Sequence, residues 1–329
     1  MKKIFVAMLA LAAATACSND ELVSVNQEAI GFDNAFINNS VRSVNDPSFK
    51  EGNMFTDFAV YGYVEGAVLF DGVRVAQDVT NEDLKKSTWK YEGTQYWIAG
   101  ANYNFNAVAP FNGGWTKTTA DATSTTLSFT NNGTTDLLYA YATAEGKVSG
   151  NELVGFTFRH VLSKVKFSFK NDYNATNATI GVKNVKITDA YKTATATLGA
   201  ATEWSAQDGT LTLNFGNAAV TAVNAEEAFG YTKTVESYNE LLLIPGAGPT
   251  EVKGKKTYTI MFTVDLLVSG TVVQSYDHTI NAEFVPEAGN SYNLTATINA
   301  TNIDPQHQQE PIEFTVTKVD NWTENASNI

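Results

Sequence analysis

Apolar and polar positions alternate along much of this chain. In FTVTKV, Phe314 and Val316 fall on one face and Thr315 and Thr317 on the other. KVKFSFK places Val165, Phe167 and Phe169 inward, with Lys164, Lys166, Ser168 and Lys170 outward. The longer apolar run YTIMFTVDLLV, Tyr258 to Val268, suits a central strand. Turn signals recur between these runs: NNGTT, Asp71–Gly72, Asp208–Gly209 and IPGAGP. Many short strands joined by such turns predict an all-β sandwich or barrel. Helical spacing shows only briefly, near NEDLKKS.

One stretch breaks phase. Val154, Phe156 and Phe158 share one face, while Val161, Val165, Phe167 and Phe169 share the opposite one. A one-residue slip flips the buried face, so a bulge or change of sheet is expected around His160 to Lys164. The polar AEGKVSGN just before this run sets the expected boundary between residues 43–150 and residues 151–329. An internal echo also points to two units. AGANYNFNA (Ala99 to Ala107) and AGNSYNLTA (Ala288 to Ala296) each read as a glycine turn feeding a strand, against the simpler reading of chance similarity.

The N-terminus has a different character. Lys2 and Lys3 precede the apolar run Ile4 to Ala14, too short for a bilayer span of about 20 residues. Residues 1–16 therefore read as a secretory signal, outside the fold. The signal ends at ATAC. Cys17 is the only cysteine, so no disulfide forms within the chain. Small residues followed by Cys match a bacterial lipobox, with Ala14 where Leu is commoner. Lipidation at Cys17 is expected, and the polar, acidic SNDE that follows resembles an export tag to the outer surface.

Composition narrows the function. The net charge of −13 argues against nucleic acid, because phosphate binding needs a basic field. A hydrophobic content of 43% is that of a globular chain. His160, His278 and His307 show no metal-ligand spacing, so no metal and no cofactor is expected. Lipid on Cys17 would remove the one thiol. No phosphate-binding loop is present, and strand carboxylates read as a solvated face. Neither a catalytic pair nor an enzyme emerges. Trp89, Trp97, Trp115, Trp204 and Trp322 offer stacking faces for sugars or, more simply, packing groups.

Arginine is scarce. Arg42, Arg74 and Arg159 are the chain's three, and Arg42 stands alone in INNSVRSVND. The ordered set of Cys17, EAIGF, Arg42, FAVYGYV, YWIAGANYNFNAVAP, LLYA, FTFRHVLSKVKF, GNSYNLTATI and IEFTVTKVDNW resembles the fimbrillins, the type V pilin subunits of Bacteroidetes-type bacteria. The resemblance spans nearly the whole chain. It implies two transthyretin-like Greek-key β-sandwich domains in tandem. It also implies a lipoprotein precursor on the outer membrane, held there only through its lipid. An arginine-specific protease cuts after an arginine downstream of that lipid. Other fimbrial subunits are the implied partners, in a head-to-tail polymer that supports adhesion.

Carried to these residues, the resemblance makes residues 17–42 a removable arm, cleaved between Arg42 and Ser43. The family often has Ala after the arginine; here it is Ser43. Cleavage at Arg74 would cut beyond the FAVYGYV strand and destroy the first domain. Ile30, Phe32 and Phe36 lie in phase, with Asn34 interrupting, as a strand of about ten residues, roughly 33 Å. Its loss would open an apolar groove. Residues 312–322 are the candidate donor strand, with Ile312, Phe314, Val316 and Trp322 as its anchors. The polar segment NATNIDPQHQQEP ahead of it reads as a linker. The same strand could instead complete its own sheet. The competing reading is a surface lipoprotein that stays monomeric and binds glycans through exposed tryptophans.

Overall fold

A computed structural model describes residues 28–37, 55–77, 89–147, 149–173, 177–222, 240–246 and 255–319. Within them the chain is all-β, with seventeen strands and no helix. The first strands are β1 (Phe32–Ile37), β2 (Asp57–Val64), β3 (Ala67–Gln77), β4 (Trp89–Lys90) and β5 (Asn102–Ala109). A hairpin of β6 (Trp115–Ala120) and β7 (Thr125–Thr130) follows, then β8 (Leu138–Glu145) and β9 (Val154–His160). Seven of these close into a ring in the order β1-β4-β3-β2-β5-β8-β9, with β9 returning to β1. All neighbours in the ring are antiparallel except β1 and β9, which run parallel.

The second part holds β10 (Ser163–Asp172), β11 (Ala178–Leu198), β12 (Thr202–Ala222), β13 (Leu241–Leu243), β14 (Lys256–Val268), β15 (Thr271–Phe284), β16 (Ser291–Asn299) and β17 (Phe314–Val319). Their order is β15-β14-β11-β12-β10-β16-β17. The alternation read from sequence is present in β10, where Ser163, Val165, Phe167 and Phe169 are buried and Lys164, Lys166 and Ser168 are partly exposed. The apolar run of β14 is central, between β11 and β15. The NEDLKKS segment lies outside the described residues.

The phase slip marks the change of sheet. Val154, Phe156 and Phe158 of β9 point into the ring, whereas Val165, Phe167 and Phe169 of β10 point into the second core. Val161 and Leu162, between them, are buried in a third cluster that joins the two. The ring runs through His160, because β9 pairs with β8 and β1.

The two units also interlock. The β6–β7 hairpin leaves the ring and pairs with β11 from Thr193↔Thr130 to Leu198↔Thr125. The cause is visible on β2, whose buried residues occupy both faces. Phe58 and Val60 face the ring core, while Ala59, Tyr61 and Tyr63 face outward. Together with Val108 and Tyr139 they form an apolar outer wall that needs a cover. Leu127 and Phe129 of β7, Ala194 and Ala196 of β11, and Trp204 of β12 supply it. At 21 residues each, β11 and β12 are long enough to serve both this cover and the second core.

The internal echo is geometric as well as textual. Gly100 and Gly289 both adopt positive φ, 75° and 71°, the left-handed region that favours glycine. Three residues on, Tyr103 and Tyr292 are buried. The Tyr103 hydroxyl accepts the Ile98 amide at 2.6 Å, and the Tyr292 hydroxyl accepts the Glu287 amide at 3.1 Å. Each tyrosine thus reaches back five residues to fix the turn that precedes its strand. Burial drives both phenols upward, Tyr292 to about 12, so both stay neutral.

Candidate functional site: the docked N-terminal segment

Residues 28–37 close the ring, and residues 28–31 are held by hydrogen bonds on both sides. The Ile30 amide donates to the Gln95 carbonyl at 2.8 Å, and the Trp97 amide donates to the Glu28 carbonyl at 3.0 Å. Ala29 lies opposite Tyr96 between these two bonds. The chain then crosses to the other side of the gap. Phe32 still faces Trp89 of β4, but from Phe32 onward β1 runs parallel to β9, with Phe32 opposite Val154. The Val154 amide donates to the Gly31 carbonyl at 2.8 Å. The Tyr91 hydroxyl donates to the Ile30 carbonyl at 2.7 Å.

The apolar phase expected for this segment holds at Ile30 and Phe32, which expose 1% and 2% of their surface. Phe32 stands among five rings. Phe58, Phe70, Tyr91 and Phe105 meet it edge-on, with centroids 6.4, 5.6, 5.5 and 6.0 Å away, and Phe156 stacks at 5.8 Å. Beyond Asp33 the register shifts, at the Asn34 interruption, and Phe36 then lies opposite Thr157. Two apolar anchors buried to this degree contribute roughly 1.5–3 kcal/mol each.

Glu28 adds an electrostatic clasp that sequence reasoning missed. Its carboxylate accepts the Gly150 amide at 2.8 Å, the Asn151 amide at 2.6 Å and the Asn151 side-chain amide at 3.0 Å. The Gly150 and Asn151 bonds hold its carboxyl below the usual range, because they favour the charged form. The sign follows directly. The depressed value means that this contribution is complete above the free carboxyl's pKa of about 4.3 and is lost as pH falls through the docked value. We therefore expect the stability difference between wild type and Glu28→Gln to shrink in acid. Denaturant unfolding from pH 6 to pH 3 checks this, and a difference that stays constant would remove the clasp.

The candidate donor residues lie on the outer edge of the second sheet. Among the described residues β17 pairs with β16 alone, antiparallel, from Ala296↔Phe314 to Ser291↔Val319. Ile312 is buried, and Phe314 is half-buried against Phe167, Phe169 and Phe262 at 5.6, 5.8 and 6.0 Å. Val316 also packs against this core. In the single chain, then, these residues complete their own sheet from an edge. Cys17, Arg42, Ser43 and Trp322 lie outside the described residues.

Both other arginines are engaged. Arg74, on β3, pairs with Asp57 at 2.6 Å. Arg159, on β9, donates to the Gly199 carbonyl and lies over the Tyr139 ring at 5.0 Å. The four described tryptophans serve packing. Trp89, Trp97 and Trp204 are buried, and the partly buried Trp115 donates its indole N–H to Pro110. None of these four is an open stacking platform.

The histidines are structural too. His160 pairs with Asp136, and His278 stacks on Phe262 at 5.1 Å with its Nε2 atom 3.0 Å from the Ile303 carbonyl oxygen. Burial lowers the His278 pKa. His307 pairs with Asp304 at 2.9 Å on the surface. No group of metal-ligating side chains occurs among the described residues.

The fold thus defines an all-β protein whose first sheet is closed by its own N-terminal segment. The sequence profile of the fimbrillin-like family matches residues 42–322, so the chain belongs to that family. This is an adhesion and structural family, not one of enzymes. A crystal structure of a fimbrial protein from Bacteroides vulgatus shares the fold, with a TM-score of 0.57 and 15% identity over 90% of this chain and 99% of that one. A putative cell adhesion protein from Bacteroides uniformis is 18% identical over 91% of this chain and 99% of the other, with a TM-score of 0.48. No curated protein matches the sequence.

Proposed function

We propose that this chain is a structural subunit of a cell-surface fimbria, made as a lipoprotein and activated by loss of its N-terminal segment. Lipid on Cys17 holds the precursor at the outer membrane. An arginine-specific protease then hydrolyses the Arg42–Ser43 bond, and residues 17–42 leave with the lipid. The gap between β4 and β9 is refilled by the C-terminal strand of the next copy, and repetition builds a head-to-tail filament. The two units, with a transthyretin-like Greek-key strand order, are the repeating bodies of that filament.

One observation carries the reading. The segment ahead of Arg42 is the strand that closes the ring, and its anchors Ile30 and Phe32 are buried in the ring core. Removing it exposes an aromatic groove and unpaired backbone along β9, and a strand from another copy satisfies both. Two further observations support it. The family match begins at Arg42, so β1 lies outside the matched region. Among the described residues, the candidate donor strand is an edge strand with one neighbour.

Material sheared from cells should carry Ser43 as its N-terminal residue and run as high-molecular-weight ladders in unheated gels. N-terminal sequencing and blotting check both. A monomer that retains lipid at Cys17 would overturn the reading.

A further inference from the structure

The docked arm and the segment leading into β17 share a sequence signature. Residues 28–32 read EAIGF, and residues 310–314 read EPIEF. Glu, Ile and Phe recur at the same spacing. In the arm these three side chains all anchor it: Glu28 in the Gly150–Asn151 clasp, and Ile30 and Phe32 in the ring core. We infer that the C-terminal segment of a second copy enters the vacated gap in one register, with Glu310 in the place of Glu28, Ile312 in that of Ile30 and Phe314 in that of Phe32. This rests on the donor-strand reading above and goes beyond it by fixing which residue meets which.

The two positions that differ test the fit, and both pass. Pro311 would take the place of Ala29. A proline there needs a site whose backbone N–H is not required. The bonds around Ala29 use the Ile30 amide and the Glu28 carbonyl, not the Ala29 amide. Glu313 would take the place of Gly31. A Cβ at Gly31 would come within 2.4 Å of Leu153 Cδ2. That atom is the end of a flexible side chain that is 56% exposed, so it can swing aside.

The present surroundings of the segment are consistent with its release. Residues 310–313 belong to no strand. Glu310, Pro311 and Glu313 line an open polar hollow of about 530 Å³ with Thr295 and Thr315. Glu310 meets the Thr301 hydroxyl at 3.4 Å, a long bond compared with those that Glu28 accepts. Phe314 is half-buried against three rings where it now lies, whereas the Phe32 site is closed and offers five. Transfer therefore improves the surroundings of both the carboxylate and the phenyl ring.

The register can be read by crosslinking in the full chain carrying Cys17→Ser. Two double variants place thiols on exposed surface: Pro311→Cys with Tyr96→Cys, and Glu313→Cys with Leu153→Cys. After cleavage with an arginine-specific protease, each should polymerise under reducing conditions as the parent does. Mild oxidation should then convert the polymer into covalent ladders. The shifted pair Thr315→Cys with Tyr96→Cys should give none. Ladders from the shifted pair alone would overturn the register while leaving strand donation intact. A crosslinked monomer would show self-insertion and overturn the partner. Absence of polymer from the cleaved parent would overturn donation itself.

Loss of one charge-assisted bond set in Glu310→Gln should reduce polymer yield at limiting concentration about tenfold. An unchanged yield would remove Glu310 from the clasp.

Discussion

Phe32→Ala will cost the uncleaved chain about 3–5 kcal/mol of stability. Phe32 is 2% exposed and is enclosed by Phe58, Phe70, Tyr91, Phe105 and Phe156. Truncation removes a phenyl ring from a closed site that backbone pairs on two sides hold open. The cavity cannot collapse easily, so the loss falls in the full range for a buried aromatic. Denaturant unfolding of the intact chain measures it. The same substitution should have no effect once the arm has been cut off and removed, because the residue leaves with it. That contrast separates a docked arm from an ordinary core strand. A loss below about 0.5 kcal/mol in the intact chain, within the range of a surface change, would mean that the arm does not close the ring.

Arg42→Ala should abolish assembly while leaving the subunit folded. An arm that stays tethered competes with a second copy at an effective concentration in the millimolar range. Free subunits at micromolar concentration face a disadvantage of about a thousandfold on that ground alone. The tethered arm also brings its own Glu28 clasp and both apolar anchors. Arg42→Lys should behave like Arg42→Ala if an arginine-specific cut is what matters, and like wild type if only the positive charge matters. Electron microscopy and unheated gels read the outcome. Normal filaments from Arg42→Ala would refute processing at that bond. Arg74 and Arg159 are poor alternatives, since each is an integral strand residue with partners of its own.

The legible part of this fold is what depends on near neighbours in sequence. The alternation of β10, the central run of β14 and the slip between Phe158 and Val165 all follow from the two-residue period of a strand. The echoed tyrosines were legible as text, and their shared five-residue reach explains why the text repeats. Other features depend on distant partners. Glu28 meets Gly150 and Asn151 only because β1 and β9 are brought together across the ring, and a lone glutamate carries no local sign of that. The β6–β7 hairpin reads as an ordinary part of the first unit. Its departure to β11 follows from the apolar outer wall of β2, which FAVYGYV encodes as an unbroken run rather than an alternation. The candidate donor residues were legible as a strand, but not their present place against Phe167, Phe169 and Phe262.

The seam between β7 and β11 has a mechanical consequence. A fibre is loaded by flow and by the surfaces it grips, and tension must pass through every subunit. Two beads on a flexible string would yield one at a time. Here six consecutive residue pairs, Thr193↔Thr130 to Leu198↔Thr125, stitch the early strands to the late ones, and Trp204 and Phe129 meet beneath them at 5.8 Å. Stretching one unit should therefore strain the other, so the subunit is expected to act as a single link rather than a hinge.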